Sequence, residues 1–260
     1  MQASLPNSVF TVNLATANPV FLQPGQYDAA IVDLDGTMVD TMGDFVVALN
    51  RMLADIAPAG DAAATLDADT VSRMVGKGSE HLVQSVLAHV RALPGAALPR
   101  LAADAIDSID TRAYASYQQH YAVVNGQHSN VYPGVLDGLR ALQQSGLKLA
   151  CLTNKPAGFA RVLLAQKGLD GFFSQVFGGD SFERKKPDPL PLLKTCEALG
   201  TAPSRTLMIG DSSNDAQAAR AAGCPVLLVT YGYNHGQPVR GVDADGFIDS
   251  LAALALALVR

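Results

Sequence analysis

The chain alternates between short, wholly apolar runs and longer stretches in which apolar residues recur at helical spacing. From Tyr27 it passes through Ala29-Ala30-Ile31-Val32 and stops abruptly at the charge of Asp33, the pattern of a strand buried on both faces. Similar runs at Leu147 to Thr153, Gln175 to Gly178, Thr206 to Gly210 and Pro225 to Thr230 are separated by helical patterning or Gly-rich turns. Strands alternating with helices predict an α/β fold on a doubly wound parallel sheet.

Between Asp44 and Asn130 the pattern changes. Helices are expected over Phe45 to Ile56, Glu80 to Leu93 and Pro99 to Val124, with no strand among them. This stretch reads as an inserted helical domain. Tyr132-Pro133-Gly134 marks its end as a turn, after which Val135, Leu139 and Leu142 resume helical spacing. The expected organisation is therefore an α/β core from 27–43 and 131–260, a helical insertion at 44–130 and an N-terminal extension at 1–26 that the pattern leaves unexplained. Ala57 to Ala64 is expected to be a loop, and Leu251 to Val259 a closing helix on the core.

Composition narrows the partners. An apolar fraction of 48% over 260 residues supplies a packed core. Nineteen basic against 24 acidic residues give a formal charge of -5, with no basic stripe for nucleic acid. The three cysteines, Cys151, Cys196 and Cys224, show no CxxC spacing, so neither a disulfide framework nor a zinc site is expected. No positive residue precedes Arg51, and Val9 to Leu22 is broken by Asn13, Asn18 and Pro19. Neither a signal peptide nor a membrane span is read there, and a cytoplasmic monomer or homodimer acting on a small molecule is expected.

In an open parallel sheet, ligands bind beyond the carboxyl ends of the strands. Four such ends carry suitable chemistry. In Asp33-Leu34-Asp35-Gly36-Thr37, extended backbone puts both carboxylates on one side and Gly36 allows a tight turn. One carboxylate can attack phosphorus while the other handles protons; a solvated turn is the plainer reading. Thr153-Asn154 offers a hydroxyl and an amide to phosphoryl oxygens, or else caps the helix that begins near Pro156.

In Arg184-Lys185-Lys186-Pro187-Asp188-Pro189 the prolines restrict the backbone. Lys186 can then point inward as a fixed cation while Arg184 and Lys185 stay solvated. Gly210-Asp211-Ser212-Ser213-Asn214-Asp215 places Asp211 as Asp33 is placed. Carboxylates converging from two strands repel unless a cation separates them, and hard oxygen ligands suit Mg²⁺. Asp215 is either a supporting partner of that cluster or a helix-start residue. All five histidines are left without a role, His235 being read as a solvent-facing loop residue unless it lies near the domain junction. Tyr231 and Tyr233 are expected to pack the sheet edge.

These four segments, in this order, resemble the four motifs of the haloacid dehalogenase superfamily of phosphatases, from Asp28 to about Asn234. The resemblance implies that Asp33 is the nucleophile, that Asp35 is the general acid and base, and that Thr153 and Lys186 hold the phosphoryl group. It implies Mg²⁺ bound by the Asp33 carboxylate, the Asp35 backbone carbonyl and the Asp211 carboxylate. The helical insertion corresponds to a cap, in which Gly76-Lys77-Gly78 resembles a substrate-facing loop; a plain helix-ending turn is the alternative.

Thr153-Asn154-Lys155-Pro156, Lys185-Lys186-Pro187-Asp188-Pro189, Ala221-Ala222-Gly223-Cys224-Pro225 and Thr230-Tyr231-Gly232-Tyr233-Asn234 are similar to the phosphoglycolate phosphatase branch. That implies 2-phosphoglycolate as substrate, bound by Thr153, Asn154, Lys186, Gly76 and Lys77. Met38 and Thr41 depart from the usual Leu and Ser. A phosphatase or mutase for another small phosphometabolite would share the core motifs, and an aspartate-phosphorylated signalling receiver is the rival from another class.

Overall fold

The computed structural model describes residues 25–58, 62–94 and 103–254. In chain order the regular elements are β1 (Ala29–Val32), β2 (Val39–Asp40), α1 (Met42–Ile56), α2 (Ala68–Ser72), α3 (Ser79–Ala92), α4 (Ala103–Val124), β3 (Asn130–Val131) and α5 (Val135–Gln144). They continue with β4 (Lys148–Leu152), α6 (Ala157–Gln166), β5 (Gln175–Phe177), α7 (Leu190–Leu199), β6 (Thr206–Gly210), α8 (Ser213–Ala222), β7 (Val226–Val229) and β8 (Gly246–Ile248).

Among the described residues, six parallel strands form one sheet in the order β5-β4-β1-β6-β7-β8. The β1 strand is central because all four of its residues are apolar and fully buried, which suits burial on both faces. Successive residues serve opposite layers. Ala30 and Val32 pack with Leu139, Leu142, Leu163 and Leu164 of α5 and α6, whereas Ala29 and Ile31 pack with Leu192, Cys196 and Ala219 of α7 and α8. Helices thus cover both faces, as a doubly wound sheet requires.

Helices α1 to α4 form a separate apolar cluster around Met52, Leu87, Tyr117 and Tyr121. Between them and the sheet run β2 and β3, which pair antiparallel, Val39 opposite Val131 and Asp40 opposite Asn130. Buried Asp44 ties the same crossing together, accepting from the backbone N–H of Gly126 at 2.8 Å and of His128 at 2.7 Å.

The helices expected at Phe45, Glu80 and Pro99 begin at Met42, Ser79 and Ala103, with 95–102 outside the described residues. The short α2, β2, β3 and β8 had no counterpart in the periodicity, because two to five residues cannot display a period. Leu251 and Leu254 are buried in the core, as a closing segment should be; 255–260 lie outside the described residues, as do 1–24 and, within the Ala-rich loop, 59–61.

Candidate active site

The segments that leave β1, β4, β5 and β6 meet in one cleft of about 650 Å³ including its solvent-open space, and the helical unit supplies part of its wall. Asp33 remains in the sheet, its N–H donating to Ile209 O at 2.9 Å, and its carboxylate accepts from Leu34 N at 2.8 Å. Gly36 then turns the chain at φ +83, and a Cβ there would fall on the Asp211 carboxylate. Only glycine lets the two acidic segments approach so closely.

Lys186 occupies the middle of the cluster. Its Nζ is 2.7 Å from Asp215 Oδ1 and 3.1 Å from Asp33 Oδ1, and it donates to Leu152 O at 2.9 Å. Burial opposes its charge, but Asp215 and Asp33 outweigh burial and hold the ammonium above its usual pKa. Neighbouring Arg184 and Lys185 are exposed. Asn154 fixes the loop: its amide donates to Lys186 O at 2.8 Å and its Oδ1 accepts from Lys186 N at 3.0 Å. Thr153 Oγ1 accepts from Lys155 N at 3.2 Å, and no side chain caps α6 at Pro156.

Asp33, Asp211 and Asp215 each present a carboxylate oxygen within 4.8 Å of the others, all three residues buried. Asp215 also completes a capping box with Ser212 at the start of α8. The two readings of that residue are therefore compatible: Oδ1 accepts from Lys186 and Oδ2 from Ser212 Oγ at 2.8 Å. Asp211 Oδ2 accepts from Tyr233 N at 2.7 Å. Asp35 pairs instead with Lys155, Nζ to Oδ1 at 2.8 Å.

A sequence profile of the haloacid dehalogenase-like hydrolases matches residues 27–223, a span that contains every segment of this cleft described so far except Tyr233. The chain belongs to the haloacid dehalogenase-like hydrolases. It is 41% identical over 232 residues to a phosphoglycolate phosphatase of Thiobacillus denitrificans, covering 89% of this chain and 96% of that one. To the plasmid-borne phosphoglycolate phosphatase of Cupriavidus necator it is 42% identical over 227 residues, covering 87% and 90%. The crystal structure of a predicted phosphoglycolate phosphatase from Haemophilus somnus superposes with a TM-score of 0.78 at 31% identity, over 88% of this chain and 96% of that one.

In this haloacid dehalogenase-like hydrolase the charged lining of the cleft, among the described residues, sets Asp33, Asp35, Asp211 and Asp215 against Lys155 and Lys186. Burial, opposed by Lys186 and reinforced by Asp215 and Asp35, pushes Asp33 up to about 7. Burial with Asp215 and Asp33 also drives Asp211 well above the carboxylate range. Hard oxygen donors gathered at one buried point, with negative charge in excess, fit a divalent cation.

This crowding predicts how stability varies with pH in EDTA. A carboxyl raised from 3.8 to about 7 binds its proton more tightly folded than unfolded, so the stability it contributes at low pH is lost as pH rises through that window. His235 and His81, both lowered chiefly by burial, act in the opposite sense. The carboxyls dominate, because two of them rise and Asp33 moves by about three pH units. Melting in EDTA should occur several degrees lower at pH 8 than at pH 5.5; a higher melting temperature at pH 8 would contradict this account.

Of the two loop residues expected to bind substrate, Gly76 and Lys77, the cleft holds one. Gly76 lines the cleft at φ +116, and its carbonyl accepts from Asn154 at 2.9 Å and from Asn214 at 3.1 Å, but Lys77 is exposed and does not line the cleft. His235 is half-buried beside Gly76 with Nε2 enclosed, so it sits at the junction rather than facing solvent. Tyr231 donates to Thr37 O at 2.8 Å, and Tyr233, which lines the cleft, donates to Asp40 at 2.9 Å. These tyrosines tie the loop after β7 to the segment after β1; Tyr233 does not pack the sheet edge. Lys155 was legible only as a neighbour of Thr153-Asn154, and Tyr121 gave no signal.

Proposed function

We propose that this hydrolase cleaves a small phosphomonoester through a phospho-aspartate on Asp33, and that 2-phosphoglycolate is its substrate. The observation that carries this reading is the buried arrangement of Asp33, Lys186, Asp211 and Asp215 at the carboxyl edge of the sheet; the phosphoglycolate phosphatases to which it is about 41% identical support the substrate.

An Asp33 carboxylate oxygen attacks phosphorus, and the bond from phosphorus to the glycolate oxygen breaks. Asp35 gives its proton to that leaving oxygen, then takes one from water as water attacks the aspartyl phosphate and regenerates Asp33. Thr153 and Lys186 hold the phosphoryl oxygens, with Lys186 stabilising the charge they carry in the transition state, while Asn154, whose two amide N–H groups go to Lys186 O and Gly76 O, serves the phosphoryl group by fixing Lys186 rather than by touching it. The Gly76 loop closes over them, and Lys77 reaches the substrate only if that loop moves. We assign 44–130 as the cap on a core of 27–43 and 131–260. Mg²⁺ would be held by the Asp33 carboxylate, the Asp35 backbone carbonyl and the Asp211 carboxylate, with Asp215 in support. When bound, it supplies positive charge that lets a dianionic phosphate approach ionised carboxylates.

No helix among the described residues is long and apolar enough to cross a membrane, and a small phosphorylated metabolite in the cytoplasm is the partner that fits. Phosphate release from a panel of phosphomonoesters, in Mg²⁺ and in EDTA, tests the reading. 2-Phosphoglycolate should give the highest kcat/KM, and EDTA should abolish release. A hexose phosphate in the lead would move the substrate and leave the chemistry; a stable phospho-Asp33 without turnover would favour a receiver.

A further inference from the structure

Lys155 is the second cation of the cleft, and the chemistry proposed above gives it nothing to do. Its side chain is 3% exposed, and a buried ammonium is stable only if strongly partnered. Nζ donates to Asp35 Oδ1 at 2.8 Å and to the Tyr121 hydroxyl at 2.6 Å. It also stands 4.9 Å and 4.7 Å from the ring centroids of Phe45 and Tyr121, and Phe159 packs edge-on against Tyr121. Four elements thus build one aromatic-walled cation site: the turn after β1, the start of α1, the last turn of α4 and the segment from β4 into α6.

The two ammonium groups divide the acidic pair. Lys186 is beside Asp33 and Lys155 is beside Asp35. A phosphoryl group at Asp33 and Lys186 places the ester oxygen at Asp35, so whatever the ester carries next extends toward Lys155. An ammonium has three N–H donors, and Asp35 and Tyr121 take two.

We propose that Lys155 is an anion subsite that recognises a carboxylate on the substrate, drawn there in exchange for the Asp35 carboxylate. This rests on the phosphomonoesterase reading and gives its substrate class as phosphate esters bearing an acidic group next to the ester carbon. A neutral tail leaves Lys155 paired with Asp35. A carboxylate tail takes the ammonium and frees Asp35 for the leaving oxygen. Substrate identity and the availability of the general acid are thereby linked through one side chain.

The test compares kcat/KM for 2-phosphoglycolate with that for ethyl phosphate, which has the same chain length and no carboxylate, in the wild type, Lys155→Met and Lys155→Arg, with melting curves to show that each folds. A charged hydrogen bond removed from one substrate only should lower the ratio in Lys155→Met by about 10- to 100-fold, through KM for the lost contact and through kcat because Asp35 is then free for either substrate, with Lys155→Arg retaining most of it. An unchanged ratio, whether both activities fall together or neither falls, would overturn the subsite and leave Lys155 as a positioning residue for Asp35. The wild type provides a second measurement should the variants not fold: the uncharged amide of 2-phosphoglycolate should be poorer than the acid by a similar factor, and equal turnover overturns the proposal. A wild type with no phosphatase activity on any ester would instead remove the parent reading.

Discussion

Asp33→Asn should release phosphate on the order of 10⁴-fold more slowly than the wild type, or more slowly still, while folding at least as well. An amide keeps the shape of the side chain and can still accept the N–H of Leu34, which lies 2.8 Å from Oδ1, but it is no nucleophile toward phosphorus. The substitution also takes one negative charge from a cluster in which burial and neighbouring acids already raise Asp33 and Asp211. In EDTA near neutral pH, the variant should therefore melt at or above the wild type. Single-turnover phosphate release and thermal unfolding, measured on the same preparation, separate lost chemistry from lost structure. Activity within tenfold of wild type would mean that the nucleophile lies elsewhere.

Lys186→Met has the second-largest expected effect, and it acts on fold and chemistry together. Methionine matches the length of the stem but removes the charge that holds Asp33 and Asp215 together at 3.1 and 2.7 Å, in side chains 11% and 1% exposed. Breaking a buried pair by deleting one partner costs roughly 3–5 kcal/mol, because the abandoned charge stays buried. In a chain of this size that lowers the melting temperature by on the order of 10 °C. The deficit should shrink as pH falls from 8 to 5, since Asp33, raised to about 7, takes up a proton and no longer needs the cation. A melting temperature within about 2 °C of wild type at pH 8 would show that the carboxylates find other compensation. Activity should fall with stability, but by more than unfolding accounts for at 20 °C, because the phosphoryl charge loses its fixed counterion.

The residues that meet in the cleft were legible wherever chemistry sat beside a strong local pattern. Asp33, Thr153 and Asp211 each follow an apolar run and Lys186 directly precedes a proline-restricted turn, and in parallel strands the segments that leave those ends lie on one edge of the sheet. The strands themselves were readable for the same reason, since a run apolar on every residue has little alternative to burial on both faces. What escaped was of another kind. The β2–β3 ribbon that joins the helical unit to the sheet is two residues long on each side, too short for any period, and exists because Asp44 and the turn at Gly126 draw its two halves together.

Lys155, Tyr121 and His235 show most clearly where local pattern stops being informative. Tyr121 is one of several aromatic residues on α4, and nothing near it in sequence indicates that its hydroxyl meets a lysine 34 positions later. Gly76 was legible as a loop residue, but not as the acceptor of amide N–H groups from both Asn154 and Asn214. Pairings such as these depend on how the helical unit docks against the sheet. By itself, then, the sequence determined the parallel α/β core, the order of its strands' polar ends and the acidic and basic groups that meet there, because apolar runs and strand polarity act over a few neighbouring residues. Only the tertiary structure decided which side chain Asp35 pairs with, where Lys77 does not reach and which residues close the cleft, because those outcomes depend on distances between segments far apart in the chain, which no local pattern encodes.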